Sequence, residues 1–276
     1  MVHNKYQKPG GEDVSTEMDI NVLREHGHEV ISYIRENDEV LDYNLVQKLS
    51  IPITMTWARQ AIQDLRALIR QQQPDIVHFQ NTHYRISPAA YIACVEAGVP
   101  VVQHLRNYRL ACPVATFYRD GRVCEDCLGK TIAYPGVLHR CYNQSYAQTA
   151  AVATMLAVHK LLGTWEKHVD QFVTLTEFAR NKLVESGVPS NRISVRHNFI
   201  GPAQRQRTGA GQYALFAGRL DETKGLDHLL EAAQQTPHVP LKIVGGGPLE
   251  QELARRIAEN NLTHVELVGQ VPYDQL

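Results

Sequence analysis

Short apolar runs alternate with longer stretches of helical period in the second half of the chain. Three runs have the length of buried parallel strands: residues 213–217, 241–244 and 265–268. Between the first two runs, apolar residues repeat at the spacing of one helix face until Pro237: Leu226, Leu229, Leu230 and Ala233. Pro248 begins a second such stretch. The pattern predicts strand, helix, strand, helix, strand, which is a parallel sheet that binds ligands at the carboxyl ends of its strands.

The first half of the chain shows the same alternation. A glycine pair, Gly10 and Gly11, precedes a predicted helix, and the strand before this pair is expected to be only a stub. Further strands are predicted at 29–34, 75–79, 99–103, 172–176 and 193–196, and helices at 57–71, at 146–162 and after an N-cap at Ser87. Three histidines at strand ends either face the ligand crevice or are buried structural side chains: His78, His83 and His104. A second doubly wound α/β domain is therefore predicted.

Composition limits the functional classes. The chain has 276 residues, enough for two domains that each bury a core. The net charge of -1 and the pI near 6.9 give no overall field that would recruit nucleic acid. No apolar run is long enough to span a bilayer and no secretory signal is recognisable, so a cytoplasmic protein is expected. Five cysteines, an odd number, favour reduced thiols over a disulfide framework.

Two cations lie on the loop between the first strand of the second half and its helix. Arg219 follows Gly218 directly, and Lys224 is five residues further on. An arginine can hold phosphate oxygens with two hydrogen bonds, and a lysine can place a point charge beside a leaving oxygen. The pattern indicates a diphosphate site. The alternative is that both cations are solvated loop charges paired with Asp221 or Glu222.

The longer string GRLDETKGLDHLLEA, followed by IVGGGPLEQEL, resembles the donor half of family 4 glycosyltransferases, which have the GT-B fold. The resemblance implies two Rossmann-like parallel-sheet domains that face a cleft. It also implies that Arg219 and Lys224 hold the diphosphate of a nucleotide sugar, with Gly218 and Gly246 beside it. A catalytic metal is not implied.

Two segments of the first half are similar to the same family. The segment HNKYQKPGGEDV resembles the family's first loop, in which Gly10 and Gly11 would shape the cleft. The segment HLRNYRLACP resembles the part that lies under the donor sugar, but Arg106 stands where the family has His, and Gln80 likewise replaces a His of many relatives. A retaining transferase that reacts by front-face displacement needs no enzymic base, so Arg106 is expected to line the site and stabilise charge.

Four cysteines follow at the spacing C-x11-C-x2-C-x13-C: Cys112, Cys124, Cys127 and Cys141. Their number and softness suit a structural tetrahedral zinc ion, with His139 as a substitute ligand. The alternative is a set of buried thiols. The segment 117–123 between them contains a glycine turn and is predicted to form a hairpin.

The predicted organisation has three parts. An acceptor-side Rossmann-like domain covers 1–199, with the cysteine-rich insertion at 112–141. A linker rich in Gly, Arg and Gln covers 200–212, and a partial donor domain covers 213–276. The family's acidic E-x7-E segment does not appear before the last residue, so a C-terminally truncated donor domain is expected.

The leading hypothesis is a retaining transferase that moves a sugar from a nucleotide-diphosphate sugar to a glycan or lipid-linked acceptor. The resemblance implies a role in surface polysaccharide synthesis, in the cytoplasm or at the inner face of the cell membrane. One alternative is a truncated product or binding module without activity. Another is a nucleotide-sugar epimerase of GT-B type, which would turn over nucleotide sugar without an acceptor.

Overall fold

The computed structural model describes residues 1–7, 10–40, 43–199 and 209–272. The chain divides into two compact units, Met1–Pro202 and Ala203–Leu276, and each is considered by itself. Most of the predicted linker, residues 200–208, lies outside the described residues. Within the described residues, no helix is both long enough and apolar enough to cross a bilayer.

The described part of the first unit alternates strands and helices. Its strands are β1 (Val2–Lys5), β2 (Tyr33–Glu36), β3 (Val77–Phe79), β4 (Val101–Leu105), β5 (Tyr118–Arg119), β6 (Arg122–Val123), β7 (Gln171–Thr174) and β8 (Ile193–Val195). Its helices are α1 (Gly11–Glu25), α2 (Leu45–Leu49), α3 (Ile51–Thr56), α4 (Arg59–Gln72), α5 (Tyr91–Ala97), α6 (Tyr134–Leu138), α7 (Tyr146–Leu162), α8 (Thr164–His168) and α9 (Glu177–Glu185). Short strands of two to five residues alternate with helices, as the apolar pattern predicts.

Six strands form one parallel sheet in the order β2-β1-β3-β4-β7-β8. The prediction that the first strand is a stub was wrong, because β1 lies inside the sheet and pairs with β2 along its whole length. The apolar pattern does not predict this strand because most of its side chains are polar. His3 and Asn4 are fully buried. Their burial is tolerated because each has a hydrogen-bond partner: His3 Nε2 lies 2.8 Å from Asp13 Oδ1, and Asn4 Nδ2 donates to Asn37 Oδ1 at 2.8 Å.

The core of the first unit lies between this sheet and the helices. Its largest fully buried side chains include Phe79, Tyr91 and Phe172. Ser87 does not cap a helix as predicted: its backbone has a φ of +59°, and its Oγ accepts the N–H of Ala58 at 3.0 Å. Tertiary contact, rather than local capping, therefore decides the conformation of Ser87. By contrast, Thr176 caps α9 locally, with its Oγ1 accepting the N–H of Ala179 at 3.1 Å.

The second unit confirms the strand-helix-strand-helix-strand prediction. Its elements are β9 (Ala214–Ala217), α10 (Leu226–Gln235), β10 (Leu241–Val244), α11 (Glu250–Glu259) and β11 (Val265–Gly269). The three strands form a parallel sheet in the order β11-β10-β9. Its core contains Ile243 of the central strand and three buried leucines of the two helices: Leu226, Leu230 and Leu253.

Two glycines after β10 allow this turn to touch the loop after β9 backbone to backbone. A Cβ on Gly245, whose φ is +142°, would lie 1.9 Å from the carbonyl oxygen of Gly218. A Cβ on Gly247 would lie 2.4 Å from the carbonyl oxygen of Leu220. Two backbone hydrogen bonds stabilise the contact. Gly218 N–H donates to Val244 O at 3.0 Å, and Leu220 N–H donates to Gly246 O at 3.0 Å. Side chains at the two glycines would force the loops apart.

We expect Gly245→Ala to destabilise the second unit by about 2–4 kcal/mol, because the methyl group adds a backbone clash to a strained φ. Gly246→Ala is the matched control, since its Cβ would have no atom closer than 3.5 Å. Both tryptophans, Trp57 and Trp165, belong to the first unit. Amide hydrogen exchange of peptides covering β9 and β10 is therefore the measurement, and equal protection in the two variants would contradict the steric argument.

Candidate functional site

A buried carboxylate organises the carboxyl edge of the sheet in the first unit. Asp19 of α1 is 5% exposed and accepts hydrogen bonds from side chains that follow three strands. Arg106, after β4, donates from Nη2 to Asp19 Oδ2 at 2.8 Å. Arg196, after β8, donates to both oxygens at 2.8 and 2.9 Å, and Gln80, after β3, donates to Oδ2 at 3.1 Å. Three strand ends and one helix therefore meet at a single carboxylate.

The cluster has more positive than negative charge. Burial acts to raise the pKa of Asp19, but the nearby His104, whose Nδ1 lies 3.7 Å from Oδ2, the hydrogen bonds of Arg196, and the charges of Arg196 and Arg106 lower it to about 2. Asp19 is therefore ionised at neutral pH and balances one of the two guanidinium groups. Burial lowers the pKa of Arg106, whose side chain is only 4% exposed. Such an excess cation at the ligand edge of a parallel sheet suits an anionic ligand.

Arg106 is held from three sides. Besides Asp19, its Nε donates to Gln80 Oε1 at 3.2 Å and its Nη1 donates to Asn198 Oδ1 at 2.6 Å. It also lines a cavity with side chains that include Glu12, Asn107 and Arg109. Arg106 is thus a fixed part of the cavity wall, and the N–H groups of Nη1 and Nη2 that these bonds do not use can still donate to a ligand.

The three strand-end histidines are largely buried. His78 and His104 stack with ring centroids 5.8 Å apart, and burial together with the neighbouring His104 lowers the pKa of His78 to about 3. His83 lies in the cavity wall, where its Nε2 is 3.2 Å from the Tyr142 hydroxyl, and burial lowers its pKa well below the ordinary value. All three are neutral at pH 7, and the arrangement corresponds to the alternative of buried structural histidines for His78 and His104.

Gly10 and Gly11 lie at the beginning of α1, beside the same edge. A Cβ on either would meet no atom within 4 Å, so the fold does not require glycine there and the surrounding space is open. Glu12 follows and accepts a hydrogen bond from the Tyr6 hydroxyl at 3.0 Å. Burial raises the pKa of Glu12 above its ordinary value.

The cations of the second unit are exposed. Arg219 follows β9, and 59% of its side chain is exposed. Its Nε donates to Asp221, whose carboxylate also accepts the N–H of Thr223 at 3.0 Å. Lys224 ends the short turn Glu222–Lys224 and is exposed. The structure thus places both cations on one loop at the carboxyl edge of the sheet. Arg219 is paired with Asp221, which is one of the two carboxylates that the alternative of solvated loop charges named.

The glycines predicted for this site have different roles in packing. Gly218 and Gly246 have room for a Cβ, whereas Gly245 and Gly247 do not. The close approach of the two loops therefore depends on the neighbours of Gly246. Binding roles for Gly218 and Gly246 stay predictions.

The four cysteines of the insertion lie in one region. Cys112 and Cys127 are buried, and Cys124 and Cys141 are half-buried. Burial raises the pKa of the Cys127 thiol to about 11, and the nearby thiols of the other three raise it further. Within the described ranges, no group of three His, Cys, Asp or Glu side chains has the arrangement of a formed metal site. The zinc interpretation stays a prediction.

Sequence reasoning missed Asp19 and Arg196. A signal for Asp19 was present, because Asp13, Thr16 and Asp19 follow one another at a spacing of three residues and all face inward on α1. Polar residues on the buried face of a helix need partners, so this stripe indicates a polar cluster. Arg196 gave no comparable signal, because its position depends on the packing of the last strand of the sheet.

We expect Asp19→Asn to lower the free energy of unfolding at pH 7 by about 3–5 kcal/mol, because it leaves Arg106 and Arg196 together without a carboxylate. The pKa of Asp19 is depressed from 3.8 to about 2, so its contribution is complete above about pH 4 and is lost as the pH falls through 2. The difference from wild type should therefore narrow below pH 4.

Urea unfolding followed by tryptophan fluorescence from pH 2 to 7 measures this difference in the first unit. Glu96→Gln is the matched control, because Glu96 makes the same kind of pair with Arg66 at the surface and should matter little. A constant difference across the pH range would contradict the assignment to Asp19.

Comparison with known proteins gives the family. The model described as Glycosyltransferase Family 4 matches residues 9–204, and the model described as Glycosyl transferases group 1 matches residues 202–276. A Methanocaldococcus jannaschii protein described as an uncharacterized glycosyltransferase is 27% identical over 107 residues, which are 39% of this chain and 30% of that protein. The Escherichia coli O-antigen chain mannosyltransferase C is 37% identical over 75 residues, 27% of this chain and 20% of that protein. The chain thus spans less than a third of either relative.

The fold has solved counterparts. The structure of Anabaena HepE in complex with UDP is similar to this one, with a TM-score of 0.52 at 15% sequence identity. The superposition covers 98% of this chain and 68% of the HepE chain. This likeness concerns the fold, which is two Rossmann-like units of the GT-B class. Because the family 4 model matches more than half of the chain, this chain belongs to glycosyltransferase family 4.

Proposed function

We propose that this protein transfers a sugar from a nucleotide-diphosphate sugar to a glycan or lipid-linked acceptor with retention of anomeric configuration. The observation that carries the proposal is the match to both glycosyltransferase family models, which together extend over residues 9–276. The names of the relatives support it, since one is a mannosyltransferase and HepE is in complex with UDP.

Arg219 and Lys224 are the proposed diphosphate ligands. Both lie on the loop after β9, at the carboxyl edge of a parallel sheet, and both are exposed. The Asp221 carboxylate orients Arg219, while the other guanidinium nitrogens remain able to donate to phosphate oxygens. Charge that develops on the leaving diphosphate would be stabilised by two cations already in place, which is electrostatic catalysis without a protein base.

The first unit is the proposed acceptor side. Its cavity has the fixed cation Arg106 and the carboxyl of Glu12, groups that can receive an anionic ligand and the hydroxyls of a sugar. The proposed retaining mechanism needs no group there to remove the acceptor proton, because the leaving phosphate takes it on the same face of the donor sugar. Gly10 and Gly11 leave open space beside this cavity wall.

The biological setting is part of the proposal. The mannosyltransferase relative acts, by its name, on O-antigen chains, which supports a role in surface polysaccharide synthesis. The cytoplasm, or the inner face of the cell membrane, is the proposed location. Exposed apolar and aromatic side chains of the insertion and of the first residue of α7 suit a contact with lipid headgroups: Ile132, Tyr134 and Leu138 of the insertion, and Tyr146.

We expect Arg219→Ala combined with Lys224→Ala to weaken the binding of UDP or GDP about 100-fold, because two charge-assisted contacts to the diphosphate are lost. Lys242→Ala combined with Arg255→Ala is the matched control. It removes the same charge from the same unit, at residues that pair with glutamates on its surface. Calorimetric titration of the full chain measures both variants, and equal affinities would contradict the assignment of the site.

Assays of turnover distinguish a transferase from an epimerase and from a binding module. We expect transfer from UDP- or GDP-sugars to a glycan acceptor, with proton NMR of the product showing the anomeric configuration of the donor. An epimerase would instead convert the nucleotide sugar without any acceptor. A binding module, or a catalytically incomplete chain, would bind nucleotide in the titration but give no product in either assay.

A further inference from the structure

We propose that the cysteine-rich insertion binds one structural zinc ion through Cys112, Cys124, Cys127 and Cys141. The insertion lies between β4 and α7 and has little regular structure, a hairpin of β5 and β6 and the single turn of α6. Segments of this size rarely bury enough apolar surface to hold a fixed conformation without a cross-link or a metal. Cys112 and Cys127 are nevertheless only 7% and 8% exposed.

Gly136 is the point at which three of the cysteines converge. A Cβ on this residue would lie 3.4 Å from Cys127 Sγ and 3.0 Å from the ring of Pro113, which directly follows Cys112. The carbonyl oxygen of Gly136 accepts the N–H of Cys141 at 3.1 Å. Segments that are far apart in sequence are therefore brought side by side at a residue with no side chain, which leaves space for the thiols.

The fourth cysteine, Cys124, lies at the end of the hairpin, directly after β6. The N–H of Cys124 donates to Phe117 O at 2.8 Å, across the hairpin from β6 to the residue before β5. Arg119 of the hairpin donates to Asp126 Oδ2 at 3.0 Å and so ties the hairpin to the C-x2-C turn. The contacts thus bring together three backbone segments that carry the four cysteines: the loop of Cys112, the C-x2-C turn of Cys124 and Cys127, and the segment of Cys141.

The charges of this region suit a thiolate-bound cation. Four thiolates repel one another and coexist in a buried place only around a metal. A zinc ion with four thiolates carries a net charge of -2, and Arg119, whose side chain is 12% exposed, lies beside Cys141 and Cys124. Arg119 Nε lies 3.4 Å from Asp120 Oδ2 and, within the described residues, has no partner in hydrogen-bond geometry, so a thiolate sulfur could accept its N–H.

Zinc is the metal that this ligand set favours. Four soft thiolates in a tetrahedral closed shell are typical of structural zinc and offer no open position for catalysis. The thiols would move from their present arrangement to Zn–S distances of about 2.3 Å. The ion would fix the loop at 107–113, in which Asn107 and Arg109 line the cavity of the first unit. The insertion would thereby support that cavity wall.

Metal analysis of the full, tag-free chain purified without chelator tests the proposal. We expect close to one zinc per chain by plasma mass spectrometry, and after exchange with cobalt the absorption of a tetrahedral tetrathiolate site. Cys127→Ser should lose the metal. Cys94→Ala should keep it, because Cys94 is the buried cysteine of α5 outside the insertion, and His139→Ala should keep it because four thiolates complete the shell.

A second measurement on the wild-type chain covers the case in which Cys127→Ser does not fold. Titration of the native chain with a mercurial, which bonds to cysteine sulfur and so displaces zinc, should release one zinc per chain, read with a metal indicator, as the four thiols of the insertion are consumed. A chain that contains no zinc after growth and purification in its presence would overturn the proposal. So would a disulfide among the four cysteines, or full zinc content in Cys127→Ser.

Discussion

The ion pairs of Asp19 with Arg106 and Arg196 fix the ligand edge of the first unit. Without the carboxylate, the guanidinium groups of the buried Arg106 and of Arg196, whose side chain is 41% exposed, would lie together at the ends of β4 and β8. With it, α1 is tied to both strand ends and to Gln80 after β3. The same helix carries Gly10, Gly11 and Glu12 at its beginning, so the position of the cavity wall depends on this one buried carboxylate.

The second unit is held at its ligand edge by backbone rather than by buried charge. The turn after β10 and the loop after β9 touch through Gly245 and Gly247, and backbone hydrogen bonds join them. Arg219 and Lys224 take no part in this contact and remain exposed. The first unit therefore offers the buried, ion-paired Arg106, and the second unit offers the exposed Arg219 and Lys224. This contrast agrees with the proposed division between acceptor and donor.

Much of the fold was predictable because its periodic signals are strong. The three strands and first helix of the second unit, the helix α7 and the hairpin of β5 and β6 follow directly from apolar spacing, helix breakers and a glycine turn. The prediction was wrong at β1 and Ser87, where polar side chains satisfy their hydrogen bonds through partners distant in sequence. No local pattern contains that information.

The sequence by itself determined the two parallel α/β units, the loop that carries Arg219 and Lys224, and the four cysteines of the insertion. Only the tertiary structure decided that Arg106 is hydrogen-bonded to Asp19, Gln80 and Asn198, and that Arg196 joins them. It also decided which glycines the loops require. The physical reason is that periodicity and turn chemistry act over a few residues, whereas the pairing of buried charges depends on which strand ends the sheet order brings together.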